Sequence, residues 1–148
     1  MKLHKLLILG VALVALFLAA CGGGGAAEEE SASENTTIDV LQNDIYYEDS
    51  PTNAEDPPVW TANAGGAIRV RLENAGTLEH NFAIVALDAT VPEVYTDENA
   101  DILIRETGLV AAGESKTETL EALDPGEYIV ICTVAGHWPS MQGKLVVQ

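Results

Sequence analysis

The C-terminal part of the chain carries a thiol, an imidazole and a thioether at short spacing. Cys132 is followed by His137 and then by Met141 in the pattern C-x4-H-x3-M, and a second histidine, His80, lies upstream. Soft thiolate and thioether ligands suit Cu(I), whereas imidazole accepts both oxidation states of copper. A trigonal set of two imidazoles and one thiolate with a weak thioether is the arrangement of electron-transfer copper sites. These residues therefore indicate a copper site.

Each of these residues has a simpler interpretation when it is taken alone. A lone cysteine on a buried strand is usually an inert core residue, and a lone methionine usually fills a gap in the core. A single histidine at the end of a sheet is usually satisfied by a structural hydrogen bond. Metal binding becomes the better interpretation because Cys132, His80, His137 and Met141 occur together in one small domain.

The elements that must position these residues are short strands. Apolar residues alternate with polar ones between turns rich in Gly, Pro, Asn and Asp, which is the pattern of an all-β sandwich or barrel. The segment Pro92 to Arg105 is compatible with a short helix or a loop. The strand candidates are Ile68–Leu72, the overlapping runs His80–Ile84 and Ala83–Leu87, Leu109–Val110, Thr117–Leu120, Tyr128–Thr133 and Lys144–Val147.

Three motifs resemble the cupredoxin family of type 1 (blue) copper proteins. Glu79-His80-Asn81-Phe82 is similar to the first-histidine motif of the family, and the strand 126–132 is similar to its G-x-Y-x-x-x-C motif. Residues 132–145 resemble its ligand loop and closing strand, with the ligand spacing of azurin. The resemblance implies an all-β, cupredoxin-like antiparallel Greek-key β-sandwich of about seven to eight strands.

The resemblance also implies a role for each motif residue. His80, Cys132 and His137 are expected as equatorial ligands of one type 1 copper ion, and Met141 as the axial ligand. Asn81 and Thr133 are expected to hydrogen-bond the two ligand loops together. Trp138 and Pro139 are expected either to form an apolar partner surface around His137 or, for Trp138, simply to pack against the domain end. Glu79 departs from azurin, which has a glycine before this histidine.

The N-terminal residues read as an export signal. Lys2 and Lys5 precede an apolar run that is shorter than the roughly 20 residues of a transmembrane helix. Leu18-Ala19-Ala20-Cys21 resembles a bacterial lipobox. We expect a signal peptide over 1–20, lipidation of Cys21, a flexible acidic tether over 21–35 and a folded domain over 36–148. Secretion with a free Cys21 or an uncleaved anchor are the alternatives, and all three place the domain outside the cytoplasm, on the periplasmic or extracellular side of the cell membrane.

The charge of the chain excludes one class of partner. Seven Lys and Arg oppose 23 Asp and Glu, so the formal net charge is -16. Nucleic acid is excluded because its binding needs clustered basic residues. The acidic surplus is compatible with a solubilising coat, with adaptation to salt, or with steering toward a basic redox partner such as a c-type cytochrome or a membrane redox complex.

The resulting prediction is a lipid-tethered carrier of single electrons that is not an enzyme. A copper-delivery or buffering protein with the same fold is the alternative, and a metal-free adhesive sandwich is a weaker one. Multicopper enzymes need additional histidines, but only His80 and His137 remain once the signal is removed. A binuclear copper centre needs two cysteines in the ligand loop, where only Cys132 is present.

Overall fold

Nine short strands and one 3-10 helix form the folded part of the chain, seen in a computed structural model that describes residues 33–49 and 53–148. The strands arise where β-branched and aromatic residues alternate with polar ones, as the burial along β4 shows, where every second residue is buried. The strands are β1 (Thr36–Asn43), β2 (Tyr46–Tyr47), β3 (Val59–Ala62), β4 (Ile68–Asn74), β5 (Ala83–Val85), β6 (Leu103–Glu106), β7 (Ser115–Leu120), β8 (Gly126–Ile131) and β9 (Gln142–Val147), with the 3-10 helix at Asp97–Ile102 between β5 and β6.

The strands pair into two sheets. One sheet has the order β2-β1-β4-β7 and the other has the order β3-β9-β8-β5-β6. The predicted all-β sandwich is confirmed, but its pairing is mixed and not purely antiparallel, because β1 pairs with β4 and β3 pairs with β9 in parallel. Parallel pairing is available to these strands because long connections separate them, whereas a tight turn would impose antiparallel pairing.

The core lies between the two sheets. The buried faces of β1, β4, β8 and β9 meet there, and their outward residues are polar or partly exposed except for Ile131 of β8, which is buried in a second apolar cluster. This hydrophobic core contains Cys132 and Met141 together with Tyr128 and Val130 of β8. The sequence prediction that Cys132 shares the inward face of Tyr128 and Val130 is therefore confirmed.

Several strand boundaries differ from the sequence prediction. His80 does not open a strand, and Leu109–Val110 is not one, since only an isolated bridge joins His80 to Val110. The segment Pro92 to Arg105 holds both the 3-10 helix and the start of β6. The sequence analysis did not assign β1, β2, β3 or β6. Three of these strands, β2, β3 and β6, lie at sheet edges, where a strand has only one neighbour and a strict alternation of apolar and polar residues is less necessary.

The predicted leader falls outside the described residues. This concerns the signal peptide over 1–20, lipidation at Cys21 and most of the tether over 21–35, so these remain predictions. Within the ranges 33–49 and 53–148, no helix has the length and apolar character required to cross a membrane.

Candidate metal centre

Three predicted ligands converge at one end of the sandwich. The side-chain donor atoms of His80, Cys132 and His137 all lie within 4.8 Å of one another. The sulfur of Cys132 is 3.4 Å from Nδ1 of His137 and 3.9 Å from Nδ1 of His80, and the two Nδ1 atoms are 3.2 Å apart. Residues 52 and 57 positions apart are thus brought into a single cluster.

A network of backbone and side-chain hydrogen bonds places His80. Its amide donates to the carbonyl of Val110 at 3.1 Å, and the Val110 amide donates back at 2.8 Å. The buried side chain of Asn74 donates to the carbonyls of Leu78 and Val110. Asp44 accepts hydrogen bonds from the amides of Thr77 and Leu78. The turn that follows β1 and the last residue of β4 therefore hold the loop that leads into His80.

The second loop is closed on itself around the other two predicted ligands. The amide of Cys132 donates to the carbonyl of Met141 at 3.2 Å, and the amide of Met141 donates to the carbonyl of His137 at 2.8 Å. The His137 amide closes a turn onto Val134, and Gly136 in this turn has a φ of 82°, a conformation that glycine adopts without strain. Met141 is fully buried beside the cluster.

Asn81 and Thr133 join the two loops directly. The Nδ2 atom of Asn81 donates to Oγ1 of Thr133 at 2.8 Å, and the amide of Thr133 donates to Oδ1 of Asn81 at 2.9 Å. These two residues follow His80 and Cys132 in the sequence, so the pair fixes the distance between the segments that carry them. The predicted hydrogen-bonded link is present in the structure.

Burial governs the protonation of the cluster. Burial lowers the pKa of His80 to about 4, with a further lowering from His137 and a small opposing contribution from Asp44. Burial likewise lowers the pKa of His137. Burial raises the pKa of the Cys132 thiol, against which the amides of Asn81 and Val134 act. Neutral imidazoles are ready to bind a metal, whereas the thiol must lose its proton when the metal arrives.

The donor set fits one copper ion. His80, Cys132 and Met141 have no exposed surface and His137 has 5%, so the cluster excludes water almost completely. The Nε2 atom of His80 is buried and has no hydrogen-bond partner among the described residues. The facing atoms are the two Nδ1 nitrogens, which both carry a free lone pair only when the protons sit on Nε2. Such a nitrogen, nitrogen and sulfur set with a nearby thioether matches a type 1 copper site.

The two residues predicted as partner surface have different surroundings. Trp138 is half-buried and donates from Nε1 to the carbonyl of Pro92 at 2.8 Å. It packs against a second apolar cluster, which consists of Ala83, Val85, Tyr95 and Ile131. Pro139 is exposed. Trp138 therefore anchors the segment between β5 and β6, while a partner surface at Trp138 and Pro139 remains a prediction.

Sequence reasoning missed several residues that support the site. Gln42 and Tyr47 contact the backbone of Asn81, while Asp44 and Asn74 hold the loop before His80. The one available signal was a polar residue, Gln42, at an inward position of an alternating segment.

A comparison with known proteins agrees with this geometry. Auracyanin-A from Chloroflexus aurantiacus is 32% identical over 108 residues, which cover 64% of this chain and 67% of the relative. The chain belongs to the cupredoxin family. No protein-family model matches the sequence.

Solved cupredoxin structures share the fold. The structure of auracyanin A, described as a "blue" copper protein, covers 77% of this chain and 99% of its own, with 24% identity and a TM-score of 0.56. Auracyanin B covers 76% of this chain and 88% of its own, with 24% identity and a TM-score of 0.61. Rusticyanin from Thiobacillus ferrooxidans covers 76% and 77%, with 19% identity and a TM-score of 0.55. The cupredoxin β-sandwich predicted from the motifs is confirmed.

Proposed function

We propose that this cupredoxin is a type 1 copper protein that carries single electrons between redox partners outside the cytoplasm. The observation that carries the proposal is the buried cluster of Cys132, His80 and His137, whose donor atoms lie within 4.8 Å of one another. Met141 is the proposed weak axial ligand. When bound, copper supplies the one-electron change between Cu(II) and Cu(I).

The protein's contribution is to hold the ligands still. The Asn81–Thr133 pair and the two backbone bonds between His80 and Val110 fix both loops without any help from a metal. Rigid ligand positions keep the rearrangement between oxidation states small, which favours fast electron transfer. Nothing in the cluster is placed to activate a substrate, so we propose no enzymatic reaction.

An apolar surface near His80 suits docking of a partner. Ile45, Leu78 and Leu109 are 44%, 45% and 50% exposed, and their segments are tied to the His80 loop through Asp44 and Asn74. Ile45 also has a φ of 61°, which β-branched residues rarely adopt. Together with Pro139, this patch is our proposed contact surface for a redox protein.

An acidic cleft lies beside the link between the ligand loops. It encloses about 640 Å³, and both Asn81 and Thr133 line it. Glu79, Asp97 and Glu106 also line it, and in the described ranges none of these three carboxylates takes part in an ion pair. Unpaired carboxylates next to the metal centre attract a basic protein. A c-type cytochrome or a basic face of a membrane redox complex fits this requirement.

Attachment to a membrane completes the proposal. The predicted lipobox assigns a lipid anchor to Cys21, which holds the domain at the cell membrane without a spanning helix. A tethered carrier searches a thin layer next to its partners instead of the whole compartment. Mass spectrometry of the membrane-extracted protein for a diacylglyceryl group on Cys21 tests this part.

The thiolate assignment has a direct test. Residues 36–148 are expressed, supplied with Cu(II) and examined by visible absorption and electron paramagnetic resonance. We expect an intense thiolate-to-copper band with a small copper hyperfine splitting, and we expect Cys132→Ser to abolish the band while circular dichroism shows the sandwich intact. A blue Cys132→Ser protein contradicts the assignment. Rapid loss of copper from the wild-type protein to a chelator points instead to copper delivery.

A further inference from the structure

Two buried polar side chains from the hairpin of β1 and β2 converge on one carbonyl oxygen. The hydroxyl of Tyr47 donates to the carbonyl of Asn81 at 2.6 Å, and Nε2 of Gln42 donates to the same oxygen at 3.3 Å. Tyr47 and Gln42 have no exposed surface, and Asn81 has 3%. The contacts span 34 and 39 residues of sequence.

Asn81, which receives these bonds, forms the junction between the two ligand loops. Asn81 directly follows His80, and its side chain forms the two bonds to Thr133 that join the loop of Cys132. Its carbonyl is the third point of attachment, and it ties this junction to the hairpin. A movement of Asn81 therefore moves His80 relative to Cys132.

The hydroxyl of Tyr47 is not needed to fill the core. Its ring packs edge-on against Trp60 and Phe82, with centroids 5.7 Å and 6.2 Å away, and a phenylalanine can make the same contacts. Burying a hydroxyl requires a hydrogen-bond partner, so the polar atom costs free energy unless its bond is made. Burial also raises the pKa of Tyr47 well above its ordinary value, so the hydroxyl keeps the proton that it donates.

We propose that Tyr47, assisted by Gln42, is a positioning residue for the metal centre. The Tyr47 hydroxyl fixes Asn81 and, through it, the separation of His80 and Cys132. The bond at 2.6 Å is the principal one, and the longer bond from Gln42 supports it. This inference rests on the proposed function for its spectroscopic consequences, whereas its structural content concerns the protein without metal.

The test compares two variants that delete the same kind of bond. Tyr47→Phe removes the bond to Asn81, and Tyr128→Phe removes a 2.8 Å bond from a tyrosine hydroxyl to the carbonyl of Asp124. Tyr128 is 3% exposed, and the acceptor of its bond, Asp124, precedes β8, whereas Cys132 follows the end of that strand. For both variants we measure copper affinity, visible absorption and hyperfine splitting. In the metal-free proteins we also measure the rate of solvent exchange of the Asn81 side-chain amide.

We expect Tyr47→Phe to lower copper affinity by about 10-fold or more, to change the hyperfine splitting and to accelerate exchange of the Asn81 amide. Tyr128→Phe should leave all three unchanged. Gln42→Leu should shift them in the same direction as Tyr47→Phe but by less, and it decides the question alone if Tyr47→Phe does not fold.

Two results overturn the inference. One is a Tyr47→Phe protein with wild-type affinity, spectra and amide exchange, and the other is an equal change in Tyr47→Phe and Tyr128→Phe. A wild-type protein without a thiolate-to-copper band refutes the proposed function instead. In that case the Asn81 exchange rate of the metal-free variants still decides whether Tyr47 positions this junction.

Discussion

At the scale of single residues, the metal centre brings together three polar side chains, each of which costs free energy when it is buried without a partner. A buried thiol and two buried imidazoles each lose hydration. Burial raises the pKa of the thiol and lowers the pKa of both imidazoles, so the neutral form of each group is favoured. Neutral His80 and His137 present free nitrogens to Cys132 at 3.9 Å and 3.4 Å, respectively. A metal ion is the partner that satisfies all three groups at once.

The low pKa of His80 predicts acid sensitivity of the metal-free protein. The unfolded chain binds a proton on this histidine near pH 6.5, but the folded protein does so only near pH 4. The free energy of unfolding should therefore fall as the pH drops through this window, by at most about 3 kcal/mol from this residue. Urea unfolding at several pH values measures it.

His80→Gln serves as the control for this prediction, because it removes the titrating group. Its stability should fall less steeply over the same pH range than that of the wild-type protein. Equal slopes for the two proteins would show that other groups, such as the carboxylates, cause the acid sensitivity.

At the scale of elements, close packing of β9 against β3 supports the wall of the core next to the site. Gly143 of β9 is buried, and a Cβ atom there would lie 2.7 Å from Cη2 of Trp60 and close to its Cζ3 atom. Trp60 packs in turn against Phe82 and Tyr47, with ring centroids 5.2 Å and 5.7 Å away. The glycine therefore sets how near the indole lies to the strand.

Gly143→Ala is expected to destabilise the protein by about 1 to 3 kcal/mol, because the indole is buried among aromatic neighbours and cannot move away freely. Gly108→Ala is the control, since a Cβ there meets only the ends of the Lys116 and Glu118 side chains, which can rotate into solvent. Urea unfolding of the metal-free proteins measures both. Similar stabilities for the two variants contradict the packing argument.

At the scale of the whole molecule, the negative charge has a local component. The formal charge of -16 acts over the entire surface, but the acidic cleft beside Asn81 and Thr133 concentrates carboxylates near the metal centre. Charges that lie close to the docking surface affect association rates more than remote ones, and salt screens them over about 10 Å at 0.1 M. If these carboxylates steer a partner, the association rate should depend both on the salt concentration and on where the carboxylates lie.

We expect reduction of the copper protein by a basic cytochrome c to slow as salt increases. The variant Asp97→Asn/Glu106→Gln should show a lower rate and a weaker salt dependence, while Asp124→Asn/Glu127→Gln, which removes the same charge near the start of β8, should change the rate much less. Stopped-flow kinetics with matched reduction potentials measure this. A rate of the wild-type protein that is constant from low to high salt shows that steering is absent.

The sequence by itself determined the donor set, the strand that carries Cys132 inward and the link between Asn81 and Thr133. Only the strand depends on local spacing, since a period of two fixes which face Tyr128, Val130 and Cys132 share. The donor set was indicated by residue types that occur together, and the link was implied by the resemblance to the family motifs. The family motifs then indicated the sandwich and its copper chemistry.

Only the tertiary structure decided what surrounds that set. The parallel pairs β1–β4 and β3–β9, the packing of Trp138 and the convergence of Tyr47 and Gln42 on Asn81 all join residues far apart in the chain. No periodicity encodes such contacts, because they depend on how two sheets stack and not on the alternation within one strand. The ligands were therefore legible in the sequence, while the residues that hold them in place were not.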